Sequence, residues 1–287
     1  MTFKAYIELM KLRIGLMVAL MAVMGYVAVA DRTDPLKLAI LSLAMLMGSA
    51  SSSVFNHYWD RDIDQLMTRT SKRPLASGQT NRPAHVLWLA GFLLVAGCGL
   101  ALLAFNAVVA LHLFLGAFFY AIVYTVWLKR RTWLNIVIGG AAGSFAVLAG
   151  GAAVDPSRWL LPFLLSITLF LWTPSHFWSL AILLKEDYAR ANVPMLPVIK
   201  GDHATARAIF LNSALLVGSS LLPLLTGSLG WVYGAGAVFF GGRFLLSNWR
   251  LLQDPGRLWA KKNFLGSMIY LVGLFVAVLA DVNLPSA

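Results

Sequence analysis

An all-α membrane protein with nine transmembrane helices around a central cavity is the fold class this sequence predicts, on three observations. The chain of 287 residues is 59% hydrophobic and 12% charged, with a mean hydropathy of +0.75, whereas a soluble domain carries about 25% charged residues. Its apolar residues gather into runs of about 20, the length at which a helix crosses a bilayer core. Its cations cluster in alternate connections between those runs.

The runs predict helices over 14–30, 36–58, 84–105, 108–128, 134–154, 159–184, 204–226, 229–246 and 264–280. With the N-terminus placed inside, every Lys and Arg except Arg32, Lys37 and Arg158 falls in an inner segment, out of 23 in the chain. That is the positive-inside pattern. It predicts a cytoplasmic N-terminus and a periplasmic C-terminus; the short segment carrying Lys4, Glu8, Lys11 and Arg13, with no cleavage site or transit peptide evident in it, points to a bacterial inner membrane. The net charge of +11 is thereby spent on orientation, and no nucleic-acid partner is expected. Cys98 is the one cysteine, so no disulfide or cysteine-based metal site is expected.

Helix one begins beyond Lys11 and Arg13, two interfacial anchors, and turns at Asp31–Pro35. Helix two carries Gly48, Ser49, Ala50, Ser51, Ser52 and Ser53. Such small residues let helices approach closely, the default reading; the alternative is that they make room for a ligand beside Asn56. The helix then runs into "FNHYWDRDIDQLMTRTSKRPLASG", the stretch with the most chemistry. Asn56, Asp60 and Asp64 lie four apart, each turned about 40° from the last along one helical face. Two stacked carboxylates repel unless a cation joins them. Their hard oxygens suit Mg2+, which takes one or two carboxylates and completes its shell with substrate phosphates and water. Arg69, Lys72 and Arg73 follow as a phosphate clamp. The plainer reading is a solvated helix end flanked by positive-inside cations.

Helices three and four read as structural, with His112 a packed residue. Helix four ends in "FFYAIVYTVWLKRR", where Tyr120, Tyr124 and Trp127 form an aromatic stripe. The stripe is either an interfacial belt or a wall that stabilises a carbocation. Helix five is glycine-rich, fit for tight packing or for presenting backbone to a flat ligand. Helix six holds Pro174, a predicted kink, and His176, an intramembrane histidine that is a functional candidate or a hydrogen-bonded structural one. His176 and Asp187 share a face roughly 16 Å apart. The following loop repeats the grammar of the first: an acid at the helix end, basic residues, Pro-Leu and a closing glycine, Gly201 answering Gly78. One integral-membrane domain over 1–287 is expected, built from two related acidic-motif halves of about 1–130 and 131–287.

"NHYWDRDIDQLMTRTSKRPLASG", "YTVWLKRRTWLNIVIGGAAGSF" and "WTPSHFWSLAILLKEDYARANVPMLPVIKG" resemble the three signature segments of the heme O synthases, a branch of the UbiA-type intramembrane prenyltransferases. The resemblance implies helices around a cavity open to the cytoplasm and the bilayer. It also implies Mg2+-dependent transfer of a farnesyl group from farnesyl diphosphate to a vinyl carbon of heme B, with heme A synthase or terminal-oxidase assembly downstream. Carried over by position, Asn56, Asp60 and Asp64 form the metal motif. Relatives often have a second Asp-x-x-x-Asp; here Ala191 stands four residues after Asp187, leaving Glu186 and Asp187. Ser175 and Trp133 also depart from the pattern, each at a position where proline is common.

On that resemblance Asp187 joins the catalytic and metal set, and Arg69, Lys72, Arg73, Lys129, Arg131 and Lys185 are the substrate-binding cations. Tyr120, Tyr124, Phe177 and Trp178 are candidates for the wall around the allylic cation, and His176 for an axial contact to the heme iron. A transporter and a quinone or chlorin prenyltransferase are the alternatives. The acids lie at helix ends rather than at the midplane, which weighs against the transporter.

Overall fold

The computed structural model describes residues 1–80 and 82–283, and in them the chain is helical, with no strand among the described residues. Helix α1 (Phe3–Met10) is capped by Thr2, whose hydroxyl accepts from the Ala5 N–H. It ends at Lys11, which adopts a left-handed φ of 46°, and α2 (Leu12–Val27) starts on the far side of that bend. Asp34 caps α3 (Pro35–Trp59) by accepting from the Leu36 and Lys37 N–H groups, with Pro35 in the first turn. This is where proline's missing donor costs nothing.

A single residue, Asp60, separates α3 from α4 (Arg61–Leu66). The hydrogen-bond ladder nevertheless continues through it, Asp60 N to Asn56 O at 2.9 Å and Asp64 N to Asp60 O at 2.8 Å. The one-face register of Asn56, Asp60 and Asp64 therefore survives the break. The pattern recurs in the second half. Leu184 separates α9 (Leu160–Leu183) from α10 (Lys185–Arg190), with Tyr188 N bonded to Leu184 O at 3.1 Å. A positive-φ glycine follows each six-residue helix, Gly78 at 73° in a loop and Gly201 at 78° at a kink within the next helix, a conformation glycine adopts without steric cost.

Between these lie α5 (Val86–Ala104) and α6 (Ala107–Phe118), which Asn106 caps. From α6 the chain continues as a π-helical stretch, Phe119–Leu128. Then come α7 (Asn135–Gly139) and α8 (Ala141–Ala152). After α10 follow α11 (Leu196–Ser219), which contains Gly201, then α12 (Leu222–Leu225), α13 (Trp231–Gln253) and α14 (Arg257–Asn283).

All nine predicted segments are helical, but the count of nine spans is corrected. Seven of the described helical stretches are long and apolar enough to cross a membrane. The two that fall short are α2 and α13. At 16 residues α2 covers about 24 Å against a core of about 30 Å, and α13 is diluted by Arg243, Asn248 and Arg250.

Helices α2 and α8 pack at contact distance because a Cβ on Gly150 would land on the Ala22 carbonyl, and one on Gly25 on the Val147 carbonyl. Around α9, polar side chains replace the hydrophobic force that lipid removes. Asn212 Nδ2 donates to Ser175 Oγ at 2.8 Å and Asn263 Nδ2 to Ser179 Oγ at 2.9 Å, both serines being fully buried. Ser175, one of the two departures from the signature, thus ties α9 to α11. The other, Trp133, packs half-buried against the Trp178 cluster.

Candidate active site

Asn56 is the hub of the site. Its Oδ1 accepts from Lys11 Nζ at 2.8 Å, and its Nδ2 donates to Asp60 Oδ2 at 2.7 Å and to Thr125 Oγ1 at 3.0 Å. Asp60 is fully buried and also meets Lys129 Nζ at 2.5 Å. Asp64, 1% exposed, is gripped by one Arg73 nitrogen at 3.0 and 2.7 Å to its two oxygens. Asp62 points away, as its position in the turn requires, and pairs with Arg130 at 2.7 Å. The Arg130 hydrogen bond holds the Asp62 carboxyl below the usual carboxylate range.

The π-helical stretch brings Lys129 to this cluster. Its wider turn lets Lys129 N reach Tyr124 O at 2.8 Å, five residues back, and Thr125 Oγ1 donate to Tyr120 O at 2.8 Å. Such stretches mark functional sites more often than chance allows. Here the stretch sets Tyr120 and Tyr124 in a stack, ring centres 5.7 Å apart. Trp127, the third residue of the predicted stripe, is exposed instead.

Two cavities meet at that stack. The charged one, of about 540 Å³, is walled by Lys11, Asn56, Asp64, Arg69, Arg73 and Lys129, and by Ile7 and Glu8 of α1. The apolar one, of about 330 Å³, lies between α3, α6, α8 and α9 and is lined by Gly48, Ser49, Ser52, Ser53, Gly139, Gly140 and Gly143 among others. Ile14, Tyr120, Tyr124 and Phe177 belong to both walls, so a polar head and an apolar tail of one ligand can occupy them together. The small-residue patch of α3 makes room here.

The remaining predicted residues lie elsewhere. Lys72 and Arg131 are exposed and line neither cavity, and Lys185 pairs with Asp202 at 3.1 Å. Trp178 is buried among Ile182, Leu196, Ile209 and Leu251. The Nδ1 of His176 is bonded to Ser267 Oγ at 2.7 Å, and its ring lies between Trp172 and Phe264, centres 4.2 and 4.4 Å away. It faces neither cavity.

Asp187 is placed differently from the first-motif acids. Its two oxygens accept from the backbone N–H groups of Thr68 and Arg69, each at 3.2 Å, and from Arg190, while Glu186 is exposed. Burial pushes its carboxyl up, but these donors outweigh burial and hold it below the ordinary range. Lys11 and His57, which line the charged cavity, and Thr125, which accepts from Asn56, are the site residues that sequence reasoning missed. Lys11 reads as a membrane anchor, and only the bend after α1 turns it inward.

The model of the UbiA prenyltransferase family matches residues 15–278, and the chain belongs to that family. Within it, the chain is 61% identical over 281 residues to protoheme IX farnesyltransferase 1 of Paramagnetospirillum magneticum, covering 98% of this chain and 99% of the relative. It is 42% identical to protoheme IX farnesyltransferase of Alkalilimnicola ehrlichii, covering 99% and 94%. The fold matches that of a solved digeranylgeranylglyceryl phosphate synthase with a TM-score of 0.80 at 21% identity, covering 97% and 98% of the two chains. It also matches a UbiA homologue from Archaeoglobus fulgidus bound to DMAPP and Mg2+, at 0.72 and 17%, covering 96% and 99%.

Proposed function

We propose that this protein transfers the farnesyl group of farnesyl diphosphate to the 2-vinyl group of heme B, giving heme O. The carbon–oxygen bond to diphosphate breaks and a carbon–carbon bond forms at the terminal vinyl carbon. Water then adds to the inner vinyl carbon and releases a proton, leaving a hydroxyethylfarnesyl side chain. The observation that carries the reading is the shared wall of Ile14, Tyr120, Tyr124 and Phe177, which joins a cationic chamber to an apolar one. A diphosphate with an isoprenoid tail has that division of charge.

Lys11, Arg69, Arg73 and Lys129 bind the diphosphate, in a chamber whose basic lining, Arg13 included, outnumbers its acids Glu8 and Asp64. Charge so arranged favours the leaving group as it gains negative charge. Tyr120 and Tyr124 present stacked ring faces at the junction, where the allylic carbon lies, and ring faces attract a cation. The farnesyl tail lies in the glycine-lined cavity.

The first motif fits Mg2+. Asn56, Asp60 and Asp64 offer hard oxygens, and each is compensated by a long, repositionable Lys or Arg side chain rather than by fixed backbone donors. Bound there with phosphate oxygens, Mg2+ would neutralise charge on the departing diphosphate. Asp187 does not fit that role, because backbone N–H groups already claim both its oxygens. We assign it to holding the 67–73 segment, and with it Arg69 and Arg73, over the chamber.

The matched breaks at Asp60 and Leu184 and the matched glycines 78 and 201 support one domain of two related halves. The charge asymmetry supports an inner-membrane protein with its N-terminus cytoplasmic and its C-terminus periplasmic; the last four residues lie outside the described ones. Heme O would pass to heme A synthase or to a terminal oxidase. Purified protein given heme B and radiolabelled farnesyl diphosphate should form a more hydrophobic, labelled heme with Mg2+ and not without it. No labelled heme under either condition would overturn the reading.

A further inference from the structure

A third cavity, of about 420 Å³, opens between α13 and α14 and shares no wall residue with the two chambers. Its lining includes three cations from two helices, Arg243, Arg250 and Lys262. None of the three has a carboxylate within ion-pair distance among the described residues. Arg250 and Lys262 both lie over the Trp259 ring, 5.3 and 4.3 Å from its centre, contacts that hold the two charges together at one end. The floor is the stacked pair Phe244 and Tyr270, ring centres 5.4 Å apart. The exposed side chains of Leu246, Leu265 and Ile269 form the rims.

We propose that this groove binds one anionic phospholipid of the cytoplasmic leaflet. From Phe240 to Arg250 it runs ten residues, about 15 Å along the helix, which is half the thickness of a hydrocarbon core and so the depth of one leaflet. The charge sits where a head group would lie, and the apolar rims lie where acyl chains would. Arg243, about 10 Å further in, reaches the same level by extending its stem along the groove. Basic pockets between membrane helices on the cytoplasmic side recognise anionic head groups in this way. The plain reading, cations that only orient the chain, explains their side of the membrane. It does not explain why three from two helices stand unpaired around one concavity. Heme B also combines carboxylates with an apolar body, but a heme here would share no wall with the chamber where transfer takes place.

The full chain in a neutral detergent, stripped of lipid and titrated with phosphatidylglycerol or phosphatidylcholine, tests this by native mass spectrometry. Phosphatidylglycerol should bind at least tenfold more tightly, and Arg250→Gln and Lys262→Gln should each weaken it about fivefold, as expected for one cation near an anionic head group. Arg257→Gln/Lys261→Gln, which removes two nearby exposed cations outside the groove, should leave it unchanged. Lys262→Arg, which keeps the charge, should bind as the parent does and guards against a variant that merely fails to fold. Equal binding of the two lipids, or an equal loss in the control pair, would overturn the proposal. So would displacement of phosphatidylglycerol by stoichiometric heme B, which would reassign the groove to heme.

Discussion

The Nζ of Lys11, at the bend between α1 and α2, donates to Oδ1 of Asn56 at 2.8 Å across 45 residues of sequence, and burial, with Arg73 and Lys129 nearby, holds its pKa well below the ordinary lysine value. The N-terminal helix is thereby tied to the first acidic motif, and a basic side chain is placed in the wall of the charged chamber. Replacing it should separate binding from chemistry.

Lys11→Met is expected to raise KM for farnesyl diphosphate about 10- to 100-fold, the value of a charge-assisted hydrogen bond at about 1.5–3 kcal/mol. KM for heme B should stay within about twofold, since the loss falls on the diphosphate side. Steady-state kinetics with each substrate varied in turn checks this, and an equal rise in both constants would contradict the assignment.

Asp64→Ala should lower the transfer rate about 100- to 1,000-fold, the scale of losing one oriented electrostatic group at the reacting centre. It also strands Arg73, now held at 3.0 and 2.7 Å. The double variant Asp64→Ala/Arg73→Ala should therefore lose less than the sum of the single losses, as residues in direct contact do. Full additivity would show that the pair does not work as a unit.

Calorimetry should detect little Mg2+ binding to the protein alone and clear binding once inorganic pyrophosphate is present. Among the described residues no three His, Cys, Asp or Glu side chains are grouped to hold a metal. The proposed site offers two carboxylates and an amide oxygen, and phosphate oxygens must supply the rest. Tight Mg2+ binding without pyrophosphate would contradict this order.

If Asp187 holds the loop rather than a metal, Asp187→Ala should speed tryptic cleavage after Arg69 and Lys72 about tenfold and raise KM for farnesyl diphosphate. The Mg2+ concentration for half-maximal rate should not move. A shift in that concentration with no change in cleavage would return Asp187 to the metal. The folded carboxyl is held below its unfolded value. Its contribution is therefore complete above pH about 4 and is lost as pH falls through the folded value. Amide exchange at Thr68 and Arg69, corrected for intrinsic rates, should accelerate only on that acid side.

Gly150→Ala should destabilise the protein by about 1–3 kcal/mol, the cost of overpacking, because α2 and α8 must part to admit one methyl against Ala22. Gly99→Ala, where the space is open, should not. Thermal unfolding in detergent compares the two.

Much of this was legible in the order of residues. Apolar run length marked the long helical segments, since the length needed to cross a bilayer is a local property of the chain, but not the short helices α1, α4 and α10. The i, i+4 spacing put Asn56, Asp60 and Asp64 on one face, and the ladder through Asp60 kept them there. The echo between Gly78 and Gly201 appears as the same positive φ.

Side-chain partnership was not legible. His176 and Trp178, plausible at an intramembrane site, are spent on Ser267 and on packing, because which neighbour a helix presents depends on its rotation in the bundle. Trp127 left the predicted stripe and Lys129 entered the cluster through the π-helical turn, which shifts a register that a 3.6-residue period assumes throughout.

The sequence by itself determined the apolar helical segments and the face that carries the acids, because hydrophobic length and helical period are both set within a few turns of chain. Only the tertiary structure decided which cation meets which carboxylate, that Asp187 closes on a loop 118 residues away, and that two cavities share one aromatic wall. Those outcomes depend on the angles and rotations at which helices pack, and packing is settled between distant segments rather than within any one of them.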